Sequence, residues 1–391
     1  MTTKLYLILR TLWLALMVLL ALMHAVGAED DLRALYSQAP EQWPQPHLDE
    51  GVEHRELGLL PPMPEPKTNP TTAEKVELGK KLFFDPRLSG SQQLACATCH
   101  DPQLGWGDGR STAFGHDRQL GARNSQSIIN SGYMTTLFWD GRAGSLEEQA
   151  LEPIVNPIEM HNTLAGAEAT LNAIPGYVEL FRAAFGVEHI ERTQIAQALA
   201  AFQRTIVSRK SRFDRFLDGE HALLSEEELL GLHLFRTRAR CMNCHSGPLL
   251  SDGQFHNLGL HFYGRRLEDL GRYHVTGRPA DVGRFRTPGL RDAMFTGPWM
   301  HNGRITDMTS LLRMYNHGMA RRNPTADQAD DPLFPVTSPL LQPLDLDEYD
   351  IAALKAFMHA LSARPRPVRP PELPPSIDNA HLAIDRDSKQ P

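Results

Sequence analysis

The chain has 391 residues, of which 41% are hydrophobic and 22% charged, and a formal net charge of −7 at pH 7. That length accommodates two or more domains and that composition excludes wholesale disorder. The acidic balance argues against nucleic acid as a partner.

Residues 1–28 place Lys4 and Arg10 ahead of or within an apolar run that ends in the small residues Val26, Gly27 and Ala28, the pattern of a secretory signal. The other reading is an uncleaved anchor, since Leu5 to Ala28 approaches spanning length if Arg10 is tolerated; the chain touches a membrane only in that case. Either way the rest of the chain is exported, and the periplasm is the expected compartment. Removing residues 1–28 takes Lys4 and Arg10 away and shifts the formal charge from −7 to −9. A mildly acidic surface can steer a basic redox protein, although an evenly charged, solvated surface is the plainer reading.

Residues 29–70 form a Pro-rich arm, including "PPMPEPKTNP", expected to wrap the body or link it to an anchor. Ordered structure is expected to begin near Thr72. The string "AEKVELGKKLFFD" then sets Val76, Gly79, Leu82 and Phe83 at helical spacing and stops before Pro86.

"ACATCH" follows, with Cys96, Cys99 and His100, and the pattern returns in "RCMNCHSG" with Cys241, Cys244 and His245. Two cysteines two residues apart can clamp zinc or exchange disulfides, but an adjoining histidine suits covalent attachment of haem. Both thiols add across haem vinyl groups from one tight turn, and the histidine becomes the proximal iron ligand. These four are the only cysteines. A disulfide framework leaves both histidines unexplained and a four-cysteine zinc site has no use for them, so two c-type haems are expected.

Between and after the motifs, "ERTQIAQALAAFQRTIVS" puts Ile195, Leu199, Phe202 and Ile206 on one helical face, and "SEEELLGLHLFRTR" is capped by Ser225 with Glu228 three residues on. The latter helix delivers the chain into the second motif. "DLDEYDIAALKAFMHALS" carries a stripe of Ile351, Leu354, Met358 and Leu361, and the prolines after it stop the helix. Alternating strand patterns are scarce. The expected fold is mainly α, with two cytochrome c-like haem domains at 71–222 and 223–363, long irregular loops, little sheet and a loose Pro-rich tail at 364–391. Beyond the two motifs there is no fixed-period repeat, and no phosphate-binding fingerprint.

The strings "ELGKKLFFDPRLSG", "FGHDRQLGARNSQSIIN", "LFWDGRAGSLEEQALEPIVNPIEM", "CMNCHSGPLLSDGQFHNLG" and "GRFRTPGLRDAMFTGPWMHNGRITDMTSLLRMYNHG" make residues from about Ala73 to Ser362 resemble the bacterial dihaem cytochrome c peroxidase and MauG family. The resemblance implies a first, peroxidatic haem that reacts with hydrogen peroxide and a second that passes electrons. Trp139 matches the tryptophan between them, where an indole offers a stepping stone for a hole; an isolated tryptophan would more simply be a core or rim aromatic. Glu159 matches the distal carboxylate, able to move a proton between peroxide oxygens, and sits in an apolar segment beside Pro157 and Met160. Gln149 and Pro153 are implied to line the same pocket. His116 matches a loop histidine that caps the first iron in many resting peroxidases and acts as a gate, although some relatives keep that iron open. The resemblance also implies one interdomain calcium ion, with Asn124 as a side-chain ligand and Thr296 and Pro298 as carbonyl donors.

The sequence departs from the peroxidases at the second haem. They place an axial methionine fourteen residues after the histidine of an "HxG" string; here that count from His301 reaches Tyr315, with Met314 beside it, and MauG-like relatives have tyrosine. Met308, Leu311, Leu312 and Tyr315 fall on one helical face, whereas Met314 is rotated by about 100°. Tyr315 is therefore the expected ligand, with a core tyrosine that touches no iron as the alternative. An anionic oxygen lowers a haem potential that a thioether would raise.

Three functions follow as expectations. The first is a dihaem peroxidase drawing electrons from a small redox protein, a cytochrome c or a cupredoxin. The second is a MauG-like enzyme that spends peroxide on side chains of a protein substrate, favoured by Tyr315 and disfavoured by His116. The third, of another class, is an electron-transfer cytochrome without catalysis. A homodimer is compatible with all three.

Overall fold

The computed structural model describes residues 32–376; the segment read as an export signal lies outside them, as does the end of the Pro-rich tail. Helices dominate, and the only paired strands among the described residues are Phe255–His256 (β1) and Phe285–Arg286 (β2), antiparallel with Phe255 opposite Arg286. Long irregular loops make up most of the remainder.

The first half is built on α1 (Ala73–Phe84), α2 (Leu146–Val155), α3 (Leu164–Asn172), α4 (Pro175–Phe185) and α5 (Arg192–Arg204). The second uses α6 (Arg212–Leu217), α7 (Glu226–Arg236), α8 (Met308–Asn316) and α9 (Glu348–Ala360). Local sequence sets the starts of these helices. Thr72 accepts from the Lys75 amide at α1, and Ser225 and Glu228 exchange side-chain and backbone hydrogen bonds at α7, satisfying donors that a helix start leaves open.

A packing device occurs twice. A Cβ on Gly79 would lie 1.9 Å from the carbonyl oxygen of Ala198, and one on Gly231 would lie 2.0 Å from that of Ala353. Glycine thus lets α1 press onto α5 and α7 onto α9, backbone against side-chain-free surface. One turn later Phe83 meets Phe202 edge-on at 5.3 Å, and Phe235 meets Phe357 at 5.4 Å. Each half therefore clamps the helix before its CxxCH string against its last helix in the same way. The offset between equivalent positions changes along the chain, so no fixed period betrays the duplication in sequence.

Two hydrophobic cores result. One gathers Leu78, Leu82, Phe83, Leu199, Phe202 and Ile206; the other gathers Phe213, Phe216, Leu232, Phe235, Leu354 and Phe357. Phe213 and Phe216, assigned by sequence to the first domain, pack into the second core.

The arm departs from expectation. Order does not begin near Thr72: Tyr36, Trp43 and Leu57 are buried in the second core, and the fully buried Arg236 pairs with Glu56 and stacks over Trp43 at 5.1 Å. An extended Pro-rich segment has no internal ladder, so its order comes from docked aromatic anchors and a desolvated ion pair. The described part of the tail is likewise tied down, with Lys81 Nζ donating to the Glu372 carbonyl at 2.6 Å and Pro374 packing on Gly176.

Candidate functional site

Both CxxCH strings fold into tight turns that bring their histidine back over the first cysteine. The His100 amide donates to the Cys96 carbonyl at 3.0 Å and the His245 amide to that of Cys241 at 2.8 Å. The His100 Nδ1 meets the Trp106 carbonyl at 3.1 Å and the His245 Nδ1 meets that of Leu250 at 2.9 Å. A carbonyl partner makes Nδ1 the protonated nitrogen and leaves Nε2 as the nitrogen available to a metal. Burial lowers the pKa of both rings, which favours the neutral imidazole that a metal requires.

Burial pushes the thiols of Cys96, Cys99 and Cys241 up to about 12, and that of Cys244 is raised as well. Such thiols are protonated and poor at disulfide exchange, and none of the four is in a disulfide. Among the described residues, no set of three His, Cys, Asp or Glu donors converges at Cys96 and Cys99, while Cys244 has Asp252 and His256 beside it. Two like turns with paired neutral thiols and a fixed imidazole suit haem attachment better than two zinc sites.

One continuous cavity of about 1360 Å3 runs from Cys99 and His100 to Cys241, Cys244 and His245. A site for a drug-sized ligand holds about 300–1,000 Å3, so this space exceeds what a single small ligand needs. Trp139 lies on its wall, 8% exposed, and its indole N–H donates to the Asn124 carbonyl at 3.0 Å. Asn124 in turn donates its amide to the His301 carbonyl at 2.8 Å and its side chain to the Arg110 carbonyl at 2.8 Å. Asn124, Thr296 and Pro298, the residues expected at calcium, line the same cavity.

At the first-motif end, Gln149 and Pro153 stand one turn apart on α2, and the turn after α2 carries Glu159. Asn156 Nδ2 donates to Glu159 Oε1 at 2.8 Å. Burial raises the Glu159 carboxyl pKa, opposed in part by the Arg142 cation and by Asn156. At the opposite end α8 presents Met308, Leu311, Leu312 and Tyr315 to the cavity. Met314 is not among its lining residues. Burial, with Cys244 and Cys241 nearby, pushes the Tyr315 phenol up.

His116 is not brought into this constellation. Its amide is bonded to the Ile158 and Glu159 carbonyls at 2.8 and 2.9 Å, but its ring stacks on His161 with centroids 4.2 Å apart. Gly115 rather than His116 lines the cavity.

Two arginines that no motif in the sequence singles out also line the cavity. Arg123 lines the cavity and binds Asp140 at 2.6 Å and Asp269 through two bonds at 2.7 and 2.8 Å, joining segments far apart in sequence. Arg286 lies on β2, buried. The string "GRFRTPGLR" contains it, but neither spacing nor charge distinguishes it from the other arginines there.

Residues 73–222 match the family described as di-haem cytochrome c peroxidase. The chain is 39% identical over 335 residues to a cytochrome-c peroxidase, IdrP1, of Denitromonas iodatirespirans, covering 78% of this chain and 86% of that protein. It is 39% identical over 315 residues to the methylamine utilization protein MauG of Methylorubrum extorquens, covering 80% and 85% respectively. Among solved structures, a MauG-like protein associated with microbial copper homeostasis superposes with a TM-score of 0.70 at 33% identity, over 81% of this chain and 96% of that one. The diheme peroxidase BthA of Burkholderia thailandensis shares the fold, with a TM-score of 0.63 at 22% identity. On these likenesses, which span most of its length, the chain belongs to the di-haem cytochrome c peroxidase and MauG family.

Proposed function

We propose that this dihaem peroxidase-type enzyme works in the periplasm, reducing hydrogen peroxide to water at the His100 end with electrons that a small redox protein delivers at the His245 end. The observation that carries this reading is the Glu159 carboxyl, raised by burial, held by Asn156 and facing the cavity beside the first CxxCH turn. In it residues 71 to about 211 form the peroxidatic domain, and α6, whose Phe213 and Phe216 pack into the second core, goes with residues 223–363 in the electron-transfer domain. Calcium stays in the reading through Asn124, Thr296 and Pro298, whose amide and carbonyl oxygens suit that hard cation.

When bound, the haems supply an iron for peroxide and the electrons that cleave the O–O bond. The protein's own part is proton handling and positioning. Ionised Glu159 takes the proton from one peroxide oxygen and, once protonated, returns it to the departing oxygen. Raising its pKa brings the two protonation states closer in energy, which suits a group that must occupy both. Gln149 and Pro153 shape the pocket around it. Trp139 stands on the wall between the two ends, with its ring held by the Asn124 carbonyl, and serves as the relay.

A second reading, a MauG-like enzyme that oxidises a partner protein, is favoured by two observations. Tyr315, not Met314, lines the cavity at the His245 end, and His116 stacks on His161 instead of facing the cavity. One experiment separates the two. One equivalent of hydrogen peroxide is added to the ferric, haem-loaded protein, and optical and EPR spectra are recorded within seconds. A peroxidase gated by reduction stays ferric until an electron is supplied and then turns over with cytochrome c; a MauG-like enzyme loses its ferric signal at once. Haem spectra that never respond to peroxide in any redox state would leave only the electron-transfer cytochrome.

A further inference from the structure

Four arginines are buried among the described residues: Arg204, Arg236, Arg286 and Arg291. Three of them meet a carboxylate, Arg204 that of Glu147, Arg236 that of Glu56 and Arg291 that of Asp214. Arg286, only 6% exposed, meets none. Its Nε donates to the Phe138 carbonyl at 3.2 Å, and its other contacts are neutral and long: Met134 Sδ at 3.3 Å, the Thr287 carbonyl at 3.4 Å and Gln126 Oε1 at 3.4 Å. A guanidinium stripped of water without a counter-charge is strongly unfavourable, and its pKa is pulled down to about 10 by that desolvation. Five donors in a planar fork call for a carboxylate or a phosphate.

The place where this fork lies points to the anion it is built to hold. Arg286 lines the cavity between the two CxxCH turns. Gln126, which it touches, sets its backbone beside the His100 ring, and Pro288, two residues after Arg286, sets its backbone beside the His245 ring. Each haem carries two propionate carboxylates on one edge. Arg286 also grips the Trp139 segment, since its own amide donates to the Trp139 carbonyl at 2.8 Å and its Nε to that of Phe138.

We propose that Arg286 anchors a haem propionate in the inter-motif cavity and, through its bonds to Phe138 and Trp139, fixes the Trp139 indole relative to that haem. The ligand chemistry is a carboxylate on the haem edge, which either haem can supply. Arg286 is a positioning residue in this assignment. The inference rests on dihaem loading but not on what the enzyme does with peroxide.

The test uses the haem-loaded protein and its Arg286→Gln and Arg286→Lys variants. A pyridine haemochrome assay first counts two haems in the wild type; a lower count would overturn the dihaem reading itself. Resonance Raman then follows the propionate bending bands, and spectroelectrochemistry follows each haem's midpoint potential. Loss of a cation beside a haem carboxylate disfavours the ferrous state. R286Q is therefore expected to shift one propionate band and lower the potential of the same haem. R286K should recover the potential in part while leaving the band displaced, because an ammonium keeps the charge but not the fork. The haem whose signals move, His100-bound or His245-bound, is the one whose propionate is held. A folded, doubly loaded R286Q with both bands and both potentials as in the wild type would overturn the proposal, even with lowered thermal stability, because that is the behaviour of a merely structural arginine. If R286Q does not accumulate, R286K decides alone: a displaced propionate band supports the anchor and an unmoved one refutes it.

Discussion

The indole N–H of Trp139 donates to the backbone carbonyl of Asn124 at 3.0 Å, so the ring proposed as the relay and the residue expected at calcium are held as one unit on the cavity wall. Replacing Trp139 by Phe removes that bond and the readily oxidised ring together. The variant is expected to fold with two haems and a stability loss of about 1–3 kcal/mol, the cost of leaving the buried Asn124 carbonyl without its donor. Electron equilibration between the haems after a reductive pulse should slow, as stopped-flow absorbance reads directly. Unchanged equilibration would remove Trp139 from the relay.

Glu159→Gln keeps the size of the side chain and its contact with Asn156 while removing proton transfer. Peroxide turnover is expected to fall about 10²–10⁴-fold, the usual contribution of a positioned acid–base group, with the haem absorbance bands unmoved. Turnover that survives the substitution would assign proton handling to another group.

The pH profile follows from the same carboxyl. In the proposed mechanism Glu159 accepts the first proton as the ionised carboxylate, and burial places its pKa above the ordinary carboxylate value. Second-order reactivity with peroxide should therefore fall as pH drops through that raised pKa. Asn156 Nδ2 stabilises the anion, so Asn156→Ala should move the acid limb to higher pH. A limb that stays in place, or moves to lower pH, contradicts the assignment.

Tyr315 and Met314 give opposite expectations at the second haem. Tyr315→Phe should change the EPR spectrum of that haem and raise its potential, because an anionic oxygen ligand favours the ferric state. Met314→Leu should alter neither, since Met314 does not line the cavity. The reverse pattern would give the iron to Met314.

The doubled glycine clamp makes a stability prediction independent of haem chemistry. A Cβ at Gly231 would sit 2.0 Å from the Ala353 carbonyl, so Gly231→Ala must push α7 off α9. Overpacking of this kind costs about 1–3 kcal/mol, readable as a lowered unfolding temperature, and Gly79→Ala should do the same to α1 and α5. A variant as stable as the parent would show that the helices separate freely.

What the sequence by itself determined is local. The two CxxCH turns, the Ser225–Glu228 cap and the α8 face carrying Tyr315 depend on residues within about two turns of one another, where spacing alone fixes which groups meet. Tertiary structure decided what depends on distant partners. The arm is ordered because Arg236 reaches Glu56, 180 positions away, and no composition rule reports that. His116 stacks on His161 instead of facing the cavity because loops from different segments pack there. Arg286 is one of many arginines in sequence and becomes distinctive only when folding buries it in the inter-motif cavity without a carboxylate. Burial and the identity of a counter-charge are properties of assembled surfaces, and that is why the chemistry between the two motifs became legible only in three dimensions.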